Sequence, residues 1–428
     1  MDLGSNREAI LQPTLCEIDD FGPVPVVQPR SVSELGDLVS RAAAADQALY
    51  PLGGRTMLDY GLPPERPGLG VDLRGLDQVI DYPARDMTIT VRAGITLARL
   101  HHHLAAENQR LPIDVPQADR ATLGGALAVN ISGPRRYGCG TLRDYVIGIS
   151  AVNDQGQEIK AGGRVVKNVA GYDLCKLFIG SLGTLGIITQ VTLKLRPRPE
   201  EQALVTLGCR AEVLEALLDR LHQSQTRPVC LDLLNGPAAQ RINQKVGTNL
   251  PEAPWVVVVG FEDNRAAVCW QVRQVIKEVP ADLALGLDAR VSQPTEPLWQ
   301  ALVEFPAAPA ARATFQANLL PSATTAWCRQ VTDLFPGLRL QAHAGSGIVL
   351  GHLEGDLPLE RLQAGWKALQ ATAAAARGNL VLRRCPTPWK KVLPVWGSPR
   401  GDREVMRAIK ENLDPRRLFN PGRFVDGL

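Results

Sequence analysis

The stretch Ala121-Thr-Leu-Gly-Gly-Ala-Leu-Ala-Val-Asn-Ile-Ser-Gly133 turns through two adjacent glycines into a short apolar run. This pattern predicts a short helix that begins at the glycines and ends near Asn130. Backbone N–H groups at a helix N-terminus form a standard cradle for a pyrophosphate. The alternative interpretation is a buried helix start, in which the glycines only permit tight packing.

A second glycine turn precedes this stretch. Pro51-Leu-Gly-Gly-Arg-Thr-Met-Leu58 runs from a predicted strand end through two glycines to a hydroxyl group. Successive N–H groups in such a turn form a concave anion site, and glycine lets the backbone approach a phosphate closely. Taken alone, a Gly-Gly turn is more often a feature of chain geometry.

A third turn argues against the common nucleotide-binding folds. In Gly180-Ser-Leu-Gly-Thr-Leu-Gly-Ile-Ile-Thr189, three glycines at a spacing of three lead into a predicted strand. The dinucleotide motif G-x-G-x-x-G instead opens a helix, and the chain contains no G-x-x-x-x-G-K-[ST] motif. The pattern therefore counts against a Rossmann site and a P-loop.

Composition narrows the class of protein further. The 428 residues exceed the roughly 250–300 at which one core stops growing, so two domains are expected. A net charge of +3 gives no basis for a nucleic-acid surface. None of the eight cysteines lies within three residues of another, which argues against an iron–sulfur cluster or structural zinc and fits a reducing compartment. Without a signal-like N-terminus or a long apolar run, we expect a cytoplasmic protein, with peripheral association at the inner membrane left open.

Local patterns predict the elements around the turns. Ser31 is a plausible N-cap for a helix over 31–49, and Thr96 opens a helix over 97–107. Residues 146–161 read as a hairpin, and the alternation over 186–195 predicts a strand.

The chain divides at a Pro-rich, charged segment over residues 196–201. We predict an N-terminal extension over 1–20, a first domain over 21–197 and an α+β lobe over 202–378. A separate C-terminal segment covers 380–428.

The order of these motifs along the chain is similar to that of a known protein family. Four motifs, taken in order, resemble the FAD domain of the p-cresol methylhydroxylase / vanillyl-alcohol oxidase (PCMH) superfamily. They are P-x-G-G-x-T, A-T-L-G-G-x-x-A-x-N, G-Y-D-L followed by G-S-x-G-T-L-G-I-I-T, and a terminal N-P-G-R. Residues 165–177 and Leu418-Phe-Asn-Pro-Gly-Arg423 are most similar to the E subunits of bacterial glycolate oxidases. The resemblance implies an α+β fold: a PCMH-type FAD-binding domain of two α+β subdomains, an antiparallel-sheet α+β cap domain, and a C-terminal segment that returns to the FAD domain.

The resemblance also implies a set of FAD-binding residues. The first turn would contact the FAD pyrophosphate, and the second turn would contact the other phosphate and the ribityl chain. Backbone groups of the third turn would hold the adenine side, and Asn420 would reach toward the flavin. The full set is Gly53, Gly54, Arg55, Thr56, Met57, Thr122, Gly124, Gly125, Ala128, Asn130, Lys167, Asn168, Gly171, Asp173, Gly183, Thr184, Gly186, Ile187, Ile188 and Asn420.

The mode of FAD attachment follows from the same comparison. Members that bind FAD covalently use a His near the first turn or a Cys before the second Gly-Gly pair. Here Arg55 occupies the first turn, and residues 116–123 contain no cysteine. We therefore expect non-covalent FAD.

The catalytic pattern departs from the family. Related D-lactate and glycolate subunits carry H-x-G-D-G-N-x-H, whose histidines bind a metal, and a later E-H-G-x-G. This chain reads His343-Ala-Gly-Ser-Gly-Ile-Val-Leu350 at the first motif and Arg384-Cys-Pro-Thr-Pro388 at the second. We predict no metal, because a metal site needs three or four converging ligands.

The catalytic candidates are consequently few. His343 could act as a base, although a packed histidine is the alternative. Arg384 and Lys390 belong to a short basic cluster with Arg383 and Lys391 that could hold a substrate carboxylate or could be a solvated surface.

Three hypotheses follow. In the first, the chain is an FAD-binding subunit of a glycolate oxidase complex, beside a paralogous catalytic flavoprotein and an iron–sulfur subunit, and electrons pass to a non-nicotinamide acceptor. In the second, it oxidises another hydroxy acid by itself. In the third, it is a non-catalytic flavin-binding scaffold.

Overall fold

A four-stranded sheet carries the first glycine turn. The computed structural model describes residues 14–164, 173–291, 295–307, 310–335, 337–355, 358–398 and 401–428. The sheet has the order β1-β2-β4-β3, parallel except between β1 and β2. Its strands are β1 (Leu15–Glu17), β2 (Pro23–Val27), β3 (Ala48–Leu52) and β4 (Gly68–Asp72).

Helix α1 (Val32–Ala44) connects β2 to β3. The Ser31 hydroxyl accepts a hydrogen bond from the Glu34 N–H at 3.1 Å, so the predicted N-cap is confirmed. Leu35 and Val39 are fully buried against Leu49 and Val71 of the sheet, as the helical spacing of apolar residues requires.

A five-stranded antiparallel sheet follows, and it carries the second turn. Its order is β5-β6-β10-β8-β9, and the short strands β7 and β11 pair beside it. The predicted hairpin and the strand over 186–195 are confirmed as β8–β9 and β10. The elements are β5 (Val79–Asp81), β6 (Thr88–Arg92), α2 (Leu97–Ala105), β7 (Gln109–Arg110), α3 (Leu123–Val129), α4 (Arg136–Cys139), α5 (Leu142–Tyr145), β8 (Val146–Val152), β9 (Glu158–Gly162), α6 (Cys175–Phe178), β10 (Ile187–Lys194) and β11 (Arg196–Pro197).

The cap is an eight-stranded antiparallel sheet with the order β15-β12-β14-β13-β17-β18-β16-β19. Its elements are β12 (Glu201–Cys209), α7 (Leu214–His222), β13 (Cys230–Asn235), α8 (Gly236–Val246), β14 (Trp255–Asp263), α9 (Arg265–Glu278), β15 (Gly286–Val291), α10 (Glu296–Glu304), β16 (Ala313–Asn318), α11 (Thr324–Leu334), β17 (Arg339–His343), β18 (Ile348–Leu353), α12 (Leu359–Ala375) and β19 (Asn379–Arg384).

Helices cover both faces of the cap sheet. On β14, Val257 and Val259 face the core formed with α7, α9, α11 and α12, whereas Val256 and Val258 face the core formed with α8 and α10. The run Trp-Val-Val-Val-Val-Gly-Phe is therefore apolar without alternation, because neither face of this strand meets water.

The C-terminal segment returns to the first sheet. Short helix α13 (Thr387–Lys390) and α14 (Arg403–Leu413) lead to Phe419, which forms a parallel bridge with Leu49 of β3. The Leu49 N–H donates to the Leu418 carbonyl at 2.8 Å, and the Asn420 N–H donates to the Leu49 carbonyl at 2.9 Å. Strand β19 pairs with β16, so residues 379–384 belong to the cap sheet and the return begins after Arg384.

A buried ion pair fixes this return. The Lys410 ammonium donates to Asp414 Oδ2 at 2.6 Å and to the Thr184 carbonyl at 2.7 Å, while Asp414 accepts the N–H groups of Leu418 and Phe419, both at 2.9 Å. Both side chains are almost fully buried.

Among the described helices, none combines the length and apolar character that crossing a membrane requires.

We predict that Lys410→Met lowers the free energy of unfolding by about 3–5 kcal/mol, because it leaves the buried Asp414 carboxylate without its counter-charge. Lys367→Met, at an exposed position of α12, should change it by less than about 0.5 kcal/mol. Urea unfolding followed by circular dichroism measures both changes. An equal, small effect of the two substitutions would show that the pair does not hold the return.

Candidate functional site

The first two glycine turns lie directly against each other. A Cβ atom at Gly53 would overlap the Thr122 hydroxyl, and one at Gly54 would overlap the carbonyl oxygen of Arg120. The glycines are therefore required for the close approach of residues 53–58 to the loop before α3. The resemblance implies that both turns hold FAD, and the structure brings the two turns into contact.

A cleft of about 460 Å³ opens where the turns meet. This volume lies within the roughly 300–1,000 Å³ of small-molecule sites. The first domain, the cap and the C-terminal return all border it. Its lining comprises Ile18, Pro51, Leu52, Gly53, Gly54, Arg55, Thr56, Met57, Leu58, Asp59, Tyr60, Val115, Pro116, Gln117, Arg120, Ala121, Thr122, Gly125, Ala126, Ala128, Val129, Ile131, Leu182, Lys245, Pro306, Ala307, Thr314, Arg383, Arg384, Asn420 and Arg423.

The first turn offers backbone donors to the cleft. Within the described residues, the N–H groups of residues 54–58 donate to no protein acceptor. Arg55 adopts a left-handed conformation with φ 57°, which folds the turn into a concave shape. Such a run of free N–H groups fits the phosphate oxygens of a dinucleotide.

Asp72 holds the Arg55 side chain at this turn. The Arg55 guanidinium lies 3.3 Å from Asp72 Oδ2, and the Asp72 carboxylate also accepts hydrogen bonds from the Arg74 side chain and backbone. Burial alone would raise the pKa of Asp72, but the hydrogen bonds from Arg74 and the charges of Arg74 and Arg55 outweigh it and lower this pKa. Asp72 therefore stays ionised and orients Arg55.

The second turn caps α3. The Thr122 hydroxyl accepts a hydrogen bond from the Gly125 N–H at 3.3 Å, and Asn130 ends the helix in a left-handed conformation, as predicted. Gly125 and Ala128 border the cleft, whereas Gly124 packs against Ala93. An added Cβ at Gly125 would meet only Thr122, so this side of the turn faces open space.

The third turn mainly supports the other two. Of its residues only Leu182 borders the cleft; its N–H donates to the Ala128 carbonyl at 2.9 Å, and its own carbonyl accepts the Asn420 side-chain amide at 2.6 Å. Five predicted FAD residues pack around this turn without lining the cleft: Gly183, Thr184, Gly186, Ile187 and Ile188.

Four further predicted residues belong to the segment before this turn. Asp173 is exposed and pairs with Lys176 on the surface. The other three lie outside the described residues: Lys167, Asn168 and Gly171.

Lys390 lies beneath the cleft and does not border it. Its ammonium donates to Asp19 Oδ2 at 2.6 Å and to the carbonyls of Asp59 and Gly61 at 2.5 and 2.9 Å. Arg423 shares Asp19 and donates to the carbonyls of Leu58, Tyr60 and Leu62. Burial lowers the pKa of Lys390, and the Asp19 charge opposes that shift. The structure thus gives Lys390 a supporting role for loop 58–62.

A β-bulge turns two consecutive arginines toward the cleft. Leu382 pairs with Phe315 and Arg384 with Thr314, so Arg383 has no partner residue on β16. The bulge breaks the alternation that would send neighbours to opposite faces. Arg384 donates to the Ala311 carbonyl at 2.7 Å and lies 3.7 Å from Asp59 Oδ2.

Arg383 connects the cap to the first turn. Its guanidinium donates to Gln316 Oε1 at 2.5 Å, lies 3.6 Å from Met57 Sδ and stacks 4.9 Å from the centre of the Tyr60 ring. None of these contacts is a carboxylate. Burial lowers its pKa, but a guanidinium remains protonated at neutral pH.

His343 is buried at the end of β17, beside a smaller cavity. Its Nδ1 lies 2.8 Å from Asp232 Oδ1. His352, on the next strand, stacks on Phe305 with 4.1 Å between ring centres, and burial lowers its pKa to about 3. Within the described residues, no group of three or more His, Cys, Asp or Glu side chains is placed to hold a metal ion.

Several cleft residues escaped prediction from the sequence. Arg120 immediately precedes the second turn, Arg423 belongs to the C-terminal return, and Tyr60 follows the first turn by only a few residues. The terminal N-P-G-R pattern was a signal for Arg423, whereas nothing local marks Arg120.

Comparison with known proteins identifies the class of site. A model of the FAD binding domain matches residues 23–162, and a model of the C-terminal domain of FAD linked oxidases matches residues 399–424. The two matches cover the first turn, the second turn and the C-terminal return, which are the parts that meet at the cleft. The cofactor is FAD.

Relatives extend the match over the whole chain. Glycolate oxidase subunit GlcD of Bacillus subtilis is 24% identical over 94% of this chain and 88% of its own length. D-2-hydroxyglutarate dehydrogenase of Xanthomonas citri is 27% identical over 94% of this chain and 89% of its own length. Glycolate oxidase subunit GlcE of Escherichia coli is 35% identical over 38% of this chain and 46% of its own length. The chain carries an FAD binding domain and is similar over most of its length to FAD-dependent 2-hydroxy acid oxidoreductases.

A solved structure supports the fold. Alkyldihydroxyacetonephosphate synthase superposes with a TM-score of 0.69 at 18% identity, covering 94% of this chain and 78% of that one. The predicted α+β fold class, a PCMH-type FAD-binding domain with an antiparallel cap, is confirmed.

We predict that Gly54→Ala greatly reduces bound FAD, because its Cβ pushes the first turn away from the Arg120 carbonyl. Gly401→Ala is the control, since an added Cβ there meets nothing within 4 Å. The ratio of flavin to protein absorbance after purification with excess FAD measures occupancy. Full occupancy in Gly54→Ala would contradict the proposed role of this contact.

We also predict that acid precipitation releases all FAD into the supernatant. None of the described residues that line the cleft is a histidine or cysteine, the side chains to which the family attaches flavin. Flavin absorbance in the supernatant and the pellet measures the outcome. Flavin that remains with the washed pellet would indicate a covalent bond.

Proposed function

We propose that this chain oxidises a small 2-hydroxy acid with FAD, and that glycolate is its substrate. The observation that carries this proposal is Arg383, which borders the FAD cleft and touches Met57 at the end of the first turn. Its guanidinium contacts no carboxylate among the described residues. A desolvated guanidinium recognises a carboxylate by paired, charge-assisted hydrogen bonds. A 2-hydroxy acid bound there would present its α-carbon to the flavin side of the cleft.

The parts of the chain have separate roles in this reaction. The backbone of residues 54–58 and the Thr122–Gly125 turn would hold the phosphates, and Asn420 would close the cleft from the C-terminal return. When bound, FAD supplies the acceptor for the hydride that leaves the substrate. Arg383 would hold the carboxylate so that the α-hydrogen has one orientation.

The proposal extends to a complex. The similarity of residues 165–177 and 418–423 to glycolate oxidase E subunits supports a role as the FAD-binding subunit beside a paralogous flavoprotein and an iron–sulfur subunit. Electrons would then pass to a non-nicotinamide acceptor. The E. coli relative GlcE, named as a glycolate oxidase subunit, supports the same assignment over its matched part.

A self-sufficient oxidoreductase is the second candidate. It is favoured by the two arginines of the bulge, since a subunit that only relays electrons needs no carboxylate site. D-2-hydroxyglutarate dehydrogenase is a relative of comparable identity, so the panel of candidate substrates includes larger 2-hydroxy acids.

Anaerobic titration of the FAD-loaded chain with glycolate should bleach the flavin. We predict that Arg383→Met weakens glycolate binding about 10- to 100-fold, as expected when a charged hydrogen-bond donor is lost. Arg361→Met, at an exposed position of α12, should leave the titration unchanged.

Two outcomes would contradict these proposals. No bleaching by any of a panel of 2-hydroxy acids, with or without the partner subunits, would overturn the oxidation. Bleaching by another 2-hydroxy acid but not by glycolate would overturn only the choice of substrate.

A further inference from the structure

A second, smaller cavity lies between the cap sheet and the segment that follows α3. It measures about 30 Å³ and is bordered by polar side chains from both domains. We call it the chamber. Its lining is Asn130, Ile131, Ser132, Arg136, Pro306, Gln316, His343, Ile348, Leu350 and Arg383. Ile131, Pro306 and Arg383 also line the FAD cleft, so the two spaces share a wall.

His343 faces the chamber with an unpartnered nitrogen. The residue is 2% exposed, and its Nε2 has no hydrogen-bond partner among the described residues. An unsatisfied polar atom of this kind is unfavourable in a protein interior unless a water or a ligand meets it. The volume exceeds the roughly 10–15 Å³ that one water needs, so a small polar group also has room.

Asp232 sets the tautomer of this histidine. Its carboxylate is fully buried and accepts a hydrogen bond from Gln341 Nε2 at 2.6 Å on Oδ2, while Oδ1 lies 2.8 Å from His343 Nδ1. A hydrogen bond to this carboxylate oxygen needs a donor, which assigns the imidazole proton to Nδ1. Nε2 of this chamber-lining residue then carries the lone pair, as in a histidine prepared to take a proton.

The charge around the chamber favours an anion. Arg383 contacts Gln316, Met57 and Tyr60, and Arg136 donates to Ser132 Oγ at 2.9 Å. Neither guanidinium forms an ion pair with a carboxylate within the described residues. Burial lowers the pKa of both arginines, while the charge of Asp144 opposes the shift for Arg136 and the Tyr60 hydroxyl opposes it for Arg383. None of the described residues that border the chamber is acidic, and Asp232 contacts His343 at Nδ1.

We propose that the chamber receives the carboxylate end of the 2-hydroxy acid, between Arg136 and Arg383, and that His343 accepts the proton of the substrate hydroxyl. The O–H proton of the substrate would pass to Nε2, and the carbon–oxygen single bond would become the double bond of the 2-oxo acid. FAD, held by the first two turns, would supply the acceptor for the α-hydrogen and its electron pair. Asp232 is a positioning residue that stabilises the resulting imidazolium. This inference rests on the proposed oxidation by this chain and adds the residues that perform it.

His352 provides an internal comparison. It is equally buried and its Nε2 also lacks a partner, yet it stacks on Phe305 and borders neither the cleft nor the chamber. Burial alone therefore does not mark a functional histidine here. The distinguishing features of His343 are the carboxylate behind it and the cavity in front of it.

The experiment uses the full chain loaded with FAD and two independent measurements. Oxalate is the first probe, because its two carboxylates imitate the carboxylate and developing alkoxide of a 2-hydroxy acid. Calorimetric titration in two buffers of different ionisation enthalpy gives both its affinity and the protons taken up on binding. The second measurement is the rate of anaerobic flavin reduction by the best 2-hydroxy acid, as a function of pH.

The proposal predicts a specific pattern across variants. In the wild type, oxalate binding takes up a proton, and the rate of reduction rises with pH, as expected of a reaction that needs a base. His343→Asn should keep FAD, abolish the proton uptake, slow reduction by about 10²–10⁴-fold and remove this pH dependence. Asp232→Asn should slow reduction at unchanged flavin occupancy, and Arg136→Met should weaken oxalate binding about 10- to 100-fold. His352→Gln is the matched control and should behave as the wild type.

Contrary outcomes separate this inference from the proposed function. Unchanged reduction and proton uptake in His343→Asn, with an active wild type, would overturn the role of His343 and leave the oxidation standing. No reduction of the wild type, with oxalate binding that depends on Arg136 and His343, would overturn the oxidation and its proton step and leave only an anion site. Absence of oxalate binding to the wild type would show that the chamber holds water only and would overturn the substrate site.

Discussion

The close approach of two glycine turns is the contact on which the rest of the site depends. Gly53 and Gly54 leave no room for a side chain against Thr122 and Arg120, so the first sheet and the start of α3 meet at backbone distance. Within the part of the chain that the structure describes, the N–H groups of residues 54–58 donate to no protein acceptor, and these residues border the cleft. A dinucleotide can then be held largely by backbone groups, whose positions vary little with side-chain rotamers.

Buried ion pairs hold the edges of the cleft in place. Lys390 and Arg423 converge on Asp19 and support loop 58–62 through its carbonyl groups, while Lys410 and Asp414 fix the return that carries Asn420. A third network joins the domains: Arg135 bonds both Asp114 and Glu262 at 2.6 Å, and its guanidinium lies 4.0 Å from the Trp299 ring centre. Breaking a buried pair by removing one partner is strongly destabilising, so these networks fix geometry more than they add net stability.

We propose that the cap contributes chemistry where the family pattern is absent from the sequence. His343 stands where the related motif begins, yet its partner is Asp232 on a neighbouring strand instead of a metal ligand set. The bulge at Arg383 brings a guanidinium to the wall shared by the cleft and the chamber. A carboxylate site and a proton acceptor can thus be assembled from different residues on the same sheet.

The sequence by itself determined the features that depend on neighbours along the chain. Ser31, Thr96 and Thr122 cap helices because the N–H groups that they accept lie three residues away, and the strand alternation over 186–195 appears as β10. The ordered motifs and the terminal N-P-G-R pattern were sufficient for the family, the fold class and FAD. They were also sufficient to predict that the two Gly-Gly turns share one site.

Only the tertiary structure decided which members of a local group have which role. Arg383, Arg384 and Lys390 are close in sequence, but a bulge turns both arginines to the cleft, whereas Asp19, which is 371 residues from Lys390, draws that lysine beneath the loop. His343 gains its orientation from Asp232, 111 residues away. The pairing of β13 with β17 brings these two residues together, and no spacing along the chain encodes that register. The physical reason is that burial and partner identity, which set the chemistry of an ionisable group, are properties of the packed chain.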